Sequence, residues 1–248
     1  MLPLLLGALL HLWGSWAWSQ PGVGAGVYAL QTMLQDSNPE IRVMAVRALG
    51  RVGGRQGVAS LQLGLRDNHA RVRLEAVQAL GHVGGDLAMT VLTEALKDRE
   101  PMIRRQAVEA LKEAGTVRSI PILHSALGDS EESVRLHAVM MLGKIGHRNA
   151  VPVLSQAGLT DASAAVRAAA CVHLGRIGVK DPRAVEVLAR VVADEPVPAV
   201  RVRAVESLGL LQLAAAIPAL EVALGDQDDG VRIRATETLG HVLARDWD

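Results

Sequence analysis

From residue 24 onward, apolar side chains recur at three- and four-residue steps, in segments bounded by short polar turns. That spacing lays one apolar stripe along an α-helix and predicts a chain of short amphipathic helices. In "VRLEAVQALGHVG", Val72, Ala76, Ala79 or Leu80, and Val83 share a face, and Gly84 ends the helix. Segments such as "AIPALEVALGD" carry the same step and alternate with the first kind, so the pattern predicts helices in pairs. The second helix of each pair is expected near 39–52, 70–83, 101–114, 132–145, 164–177, 198–211 and 229–244.

A Val-Arg type pair sets the register of these copies. Arg42, Arg73, Arg104, Arg135, Arg167, Arg201 and Arg232 follow one another at 31, 31, 31, 32, 34 and 31 residues. Six residues before each stands an acid: Asp36, Asp67, Asp98, Asp129, Asp161, Glu195 and Asp226. An alanine stands three residues after each arginine and a leucine seven after; a glycine stands eight after in every copy but the third, which has Lys112. This period is that of a two-helix solenoid unit. Pro39 and Pro101 fall in the first turn of a second helix, where a missing N–H is tolerated, and Asn68, Ser130 and Ser163 are the expected N-caps. The arginine sits where a cation opposes the helix dipole, so its recurrence implies a fixed anionic partner. The acid six residues earlier, from the same or the adjoining repeat, is the expected one, forming a ladder of pairs. A row of arginines holding an anionic ligand is the competing reading. The 34-residue step, with Pro196 and Pro198, predicts a longer helix or turn and a change of curvature between the fifth and sixth copies.

The opening "MLPLLLGALLHLWGSWAWS" has no charged side chain, and its apolar run from Leu4 to Leu12 leads to small residues at Ala17 and Ser19. It reads as a secretory signal peptide over residues 1–19, leaving 20–248 as the repeat domain of a secreted or periplasmic protein. The run is short for a membrane span, and no membrane insertion is expected after cleavage. The 26 basic and 26 acidic side chains cancel, which gives no broad attraction to nucleic acid or anionic membrane. With no Phe, one Tyr and three of four Trp within the first 18 residues, the core must be built from Leu, Val, Ile and Ala. Cys171 is the only cysteine, so no intrachain disulfide can form. It lies four residues after its arginine, where the other copies have Val or Thr, and is expected to be a buried packing residue.

The pattern D-x4-[VI]-R-x2-A-x3-L-G-x-[IV]-G resembles the short HEAT-like repeat of the phycobilisome lyase type, over residues 24–245. The resemblance implies an all-α fold, a right-handed α-solenoid of seven two-helix repeats with the second helices lining the concave face. That repeat class includes bilin lyase subunits, an iron hydroxylase and many scaffolds, so it specifies the fold far better than the function.

On such a scaffold, residues two, five and nine after each arginine should face the groove. They are Met44, Arg47 and Arg51; Glu75, Gln78 and His82; Gln106, Glu109 and Glu113; His137, Met140 and Lys144; Ala169, Val172 and Arg176; Arg203, Glu206 and Leu210; Arg234, Glu237 and His241. This row varies while its neighbours repeat, as a recognition surface would, and as a merely solvated face also would. Its charge changes sign along the chain, which suits a protein or peptide partner better than a uniform polyanion. Met140, Met141, Val172 and Leu210 offer an apolar floor, although Met141 could instead pack against the neighbouring repeat. His173, on the helix after that of His137, is a further groove candidate.

Chemistry finds little footing. The hydroxylases of this repeat class carry His-Glu pairs directly after the repeat arginine, and "HE" occurs nowhere in this chain. His137 and His173 could approach each other, but without a carboxylate or thiolate they fall short of a metal site, so no metal or cofactor is expected. No nucleophile–base set or phosphate-cradling loop stands out, and the groove row lacks the aromatics that sugars or single-stranded nucleic acids stack on. The expected function is a non-enzymatic scaffold that binds a partner protein or peptide along the concave face. An enzyme-associated member of the class and a purely structural spacer are the alternatives.

Overall fold

The computed structural model describes residues 23–114, 117–179, 181–211 and 213–245. The leader read in residues 1–19 lies outside them, as does the side chain of Glu113. Among the described residues the chain is helix and turn, without strands. Seven first helices, α1 (Val23–Met33), α3 (Gly54–Gly64), α5 (Gly85–Ala95), α7 (Ile120–Ala126), α9 (Val151–Thr160), α11 (Pro182–Asp194) and α13 (Ile217–Leu224), alternate with seven second helices. The second helices are α2 (Pro39–Val52), α4 (Ala70–Val83), α6 (Pro101–Ala114), α8 (Glu132–Ile145), α10 (Ala164–Ile177), α12 (Pro198–Leu210) and α14 (Asp229–Arg245). Single 3-10 turns at Val117–Ser119, Arg148–Ala150 and Ala214–Ala216 lead into α7, α9 and α13.

The repeating acid starts each second helix. Its carboxylate accepts a hydrogen bond from the amide two residues on, as Asp67 does from His69 (2.8 Å) and Asp129 from Glu131 (2.9 Å). This turn makes His69 and Glu131 the N-cap residues, one place beyond the expected Asn68 and Ser130. At two other second helices the N-cap side chain itself accepts: Asn38 takes the amide of Glu40 (2.9 Å) and Ser163 that of Ala165 (3.2 Å). Glycine ends α2, α4, α8 and α10; Gly84 at φ 66° and Gly85 at φ 78° make the left-handed reversal from α4 into α5, a pair of conformations other residues rarely adopt.

The two apolar stripes then close over a continuous core. Leu49, Leu80, Leu111, Leu142, Leu174 and Leu208, seven residues after the first six arginines, are fully buried, each worth about 2 kcal/mol of apolar burial. Each second helix packs on the next in an unbroken row from α2 to α14. First helices meet less closely, and α7, only seven residues long, hardly touches α5 or α9. Clefts of about 700 and 590 Å³ open on either side of α7. A stack whose one row is tight and whose other row splays curves toward the tight side, so the molecule is an α-solenoid with its second helices innermost. α11 starts 15 residues after Arg167, where α3 and α5 start 12 after their arginines, so the extra residues of the 34-residue step precede α11, which then runs straight from Pro182 to the acid Glu195, with Pro198 opening α12.

Candidate functional site

The recurring arginines are structural, and each ties two repeats together. Arg42 Nε and Nη2 donate to the two carboxylate oxygens of Asp67 (2.7 and 2.9 Å), while Nη1 donates to the carbonyls of Asp36 and Ser37 (2.8 and 3.2 Å). Arg73 repeats this on Asp98, Arg104 on Asp129, Arg135 on Asp161, Arg167 on Glu195 and Arg201 on Asp226, with Nε to carboxylate distances of 2.6–2.9 Å. The carboxylate therefore comes from the following repeat; the acid six residues earlier supplies only its carbonyl. Of the two origins expected, the same repeat or the adjoining one, it is the adjoining repeat that supplies the carboxylate. Both side chains of each rung are nearly sequestered, 5–14% exposed. Hydrogen bonds from Arg167 and Arg201 hold the Glu195 and Asp226 carboxyls below the usual carboxylate range. For Asp67 and Asp129, burial pushes the carboxyl up, and the paired arginine and turn amide more than offset it. The fork of Arg meets carboxylate and carbonyls at once, which a lysine could not do. Among the described residues Arg232 pairs with Asp229 in its own helix, and no arginine reaches the Asp36 carboxylate.

The groove row follows a second rule: the residue five after one arginine meets the residue two after the next. Arg47 bonds Glu75 (2.8 Å), Glu109 bonds His137 Nε2 (2.6 Å), and Glu206 takes Arg234 (3.1 Å) as well as Arg203 (2.8 Å). Lys144 Nζ lies 3.9 Å from the other Glu109 oxygen, and Arg234 also reaches Glu237 (2.8 Å). Most of the charges expected to be offered to a partner are thus paired inside the molecule. Three junctions carry no such pair: the same register sets Gln78 against Gln106 between the second and third repeats, Met140 against Ala169 between the fourth and fifth, and Val172 against Arg203 between the fifth and sixth. Met140 is exposed, Ala169 and Val172 are half-buried, and Leu210 further along is exposed. Arg176 stands exposed beside this patch with no ion pair among the described residues, as does Arg51 near the first repeat, while Gln78 and His82 line the row between. Met141 is fully buried, so it belongs to the core and not to the groove floor.

His173 is also displaced from its expected role. It sits six residues after its arginine and packs against Gly143 of α8, so it belongs to the interface between α8 and α10; its Nδ1 is buried without a hydrogen-bond partner. Burial, then the nearby Arg176 charge, pushes its pKa down and favours the neutral ring. His137 is held by Glu109 on the opposite side, so the two histidines do not form a pair. Cys171 is fully buried, and burial, then the Glu195 charge, pushes its thiol up to about 12. That disfavours thiolate chemistry. Among the described residues no three His, Cys, Asp or Glu side chains gather as a metal site would require, and no helix is long and apolar enough to cross a membrane. A cavity of about 570 Å³ opens at the far end of the row, between Glu206, Leu210 and Leu213 on one side and Arg234, Glu237 and His241 on the other.

With this geometry in view, the chain can be set beside known proteins. The HEAT-repeat family model matches residues 27–112, 58–133, 89–159, 120–209 and 156–240 in overlapping runs. No curated protein shows significant similarity to the chain. Among solved structures, human deoxyhypusine hydroxylase in complex with glycerol aligns at 23% identity over 89% of this chain and 96% of its own, with a TM-score of 0.44. The CpcE–CpcF complex of phycocyanin lyase from Nostoc aligns at 22% identity over 61% and 97%, with a TM-score of 0.49. An engineered protein aligns at 20% identity over 88% and 68%, also at 0.49. The overlapping matches run nearly the length of the described stack, and the chain belongs to the HEAT-repeat family.

Proposed function

We propose that the protein is a binding scaffold whose inner face takes an extended or helical peptide segment of a partner protein. The segment it suits carries an apolar side chain beside acidic ones. One observation carries this reading. Along a row closed by ion pairs at three of its six junctions and carrying Gln78 and Gln106 at another, Met140, Ala169 and Val172 form an apolar stretch beside Arg176, which has no ion pair among the described residues, and the exposed Lys144. An apolar contact ringed by cations recognises side chains through the first and orients charge through the second. The setting proposed for it is outside the cytoplasm, on the leader read in residues 1–19.

Selection of random peptides on the immobilised protein tests this. The enriched peptides should pair a large apolar residue with Asp or Glu, and Val172→Asp combined with Arg176→Glu should weaken their binding more than about tenfold. Enrichment that survives both changes, or no enrichment at all, would leave the scaffold without this groove.

A further inference from the structure

At three junctions a small side chain, six residues after a repeat arginine, packs on a glycine of the preceding second helix: Ala79 on Gly50, Ser207 on Gly175 and Thr238 on Gly209. In the fifth copy that position holds His173, where the other copies have Ala, Met, Ser or Thr. Its ring lies on the backbone of α8: a Cβ at Gly143 would stand 2.0 Å from Nδ1, 2.2 Å from Cγ and 2.4 Å from Cε1. A titratable group therefore fills a contact that the other copies give to neutral side chains.

Its Nδ1 is shut off from water and has no hydrogen-bond partner. A neutral imidazole can leave one nitrogen bare, but an imidazolium carries an N–H on both. The cation needs an acceptor at Nδ1 that this interface lacks, and a buried donor left unmade is costly. No free carboxylate balances the charge either. Lys144 stands next to Gly143 on α8, and Arg176 follows the ring by three residues on α10; both are cations. His137, on α8, is bound to Glu109. Glu132, the one acid of α8, lies at the far end of that helix, and neither α9 nor α10 contains an acid. In α12 Glu206 is bound by Arg203 and Arg234, while Glu186 and Asp194 of α11 are exposed to solvent.

We infer that His173 is an acid-sensitive latch: the neutral ring fastens α10 to α8, and protonation drives it from its seat and parts the two helices beneath Met140, Ala169 and Val172. Acid then loosens the groove along its apolar stretch. That consequence for a partner rests on the scaffold reading above; the latch itself does not. Burial, then the Arg176 charge, lowers the folded pKa, so the contact is complete above the ordinary value of 6.5 and is lost as pH falls below it towards the folded value. At pH 5 the ladder carboxylates, whose ordinary range is about 4, remain charged, so the rungs still hold.

Hydrogen exchange of the purified protein at pH 7 and pH 5, corrected for the intrinsic rate at each, tests this without a partner. Protection of α8 and α10 should fall at pH 5 by up to about tenfold for each unit by which the ring's pKa is lowered, while α2 to α4 change little. His173→Gln keeps a neutral side chain at every pH, and His173→Ala serves should the amide fit badly. In either variant α8 and α10 should be equally protected at the two pH values. Wild-type protection that does not change, or an acid loss that survives in both variants, overturns the inference. Peptide selection at pH 7 tests the scaffold separately, so either can fail without the other.

Discussion

An alanine at position 143 would place its Cβ 2.0 Å from His173 Nδ1, far inside any real contact. The imidazole must then leave its place between α8 and α10, or the two helices must part. Gly143→Ala is therefore expected to lower stability by about 1–3 kcal/mol, the usual cost of overpacking. With His173→Ala already present the clash is gone. The same Gly143→Ala change should then raise stability by up to about 1 kcal/mol, because alanine favours the helix over glycine. Chemical denaturation of the four proteins of this cycle checks the sign reversal; two changes of equal effect in both backgrounds would mean that the ring does not fill the space over Gly143. The same residue shows what a sequence conceals. His173 looks like a groove ligand by type, and only its place six after the arginine, alongside Ala79, Met141 and Ser207, marks it as a packing residue.

At the scale of the element, the rung joins the start of one second helix to the start of the next. Arg73 and Asp98 are 6% and 7% exposed, so removing one partner strands a charge in a nearly dry place. Arg73→Met should cost about 3 kcal/mol, and Arg73→Lys roughly half of that, since the charge remains but the fork is lost. Denaturant midpoints measure both. Acid should act on four of the rungs together. The depressed carboxyls of Asp67, Asp129, Glu195 and Asp226 contribute stability that is complete above the ordinary carboxylate range near about 4 and is lost as pH falls through their lower folded values. Thermal unfolding followed downward from neutral pH should show a plateau and then a steep fall in that acid range; a melting temperature flat down to the lowest pH would contradict it. The recurring Val-Arg pair made the solenoid legible, because helical steps and a 31-residue period admit few other folds. The direction of each rung was not legible. Asp67 lies six residues before Arg73 and 25 after Arg42, and in a periodic pattern those are the same residue. The groove was legible as a row of varying positions, but not its internal pairing. That Glu109 meets His137 depends on the rise from one repeat to the next, which no single copy encodes.

For the whole molecule, stability should follow from nearest neighbours alone. Each repeat is fastened to the next by one rung, a stripe of leucine and valine, and a close approach of two second helices; repeats further apart share nothing but the curve. Hydrogen exchange measured segment by segment on the Arg135→Met variant tests this claim most directly. Its rung to Asp161 lies in the middle of the stack. Faster exchange should be confined to α8, α10 and the turn between α9 and α10, while α1 to α4 and α14 keep wild-type protection. Acceleration spread evenly from α1 to α14 would contradict a stack held together repeat by repeat, and so would no acceleration anywhere.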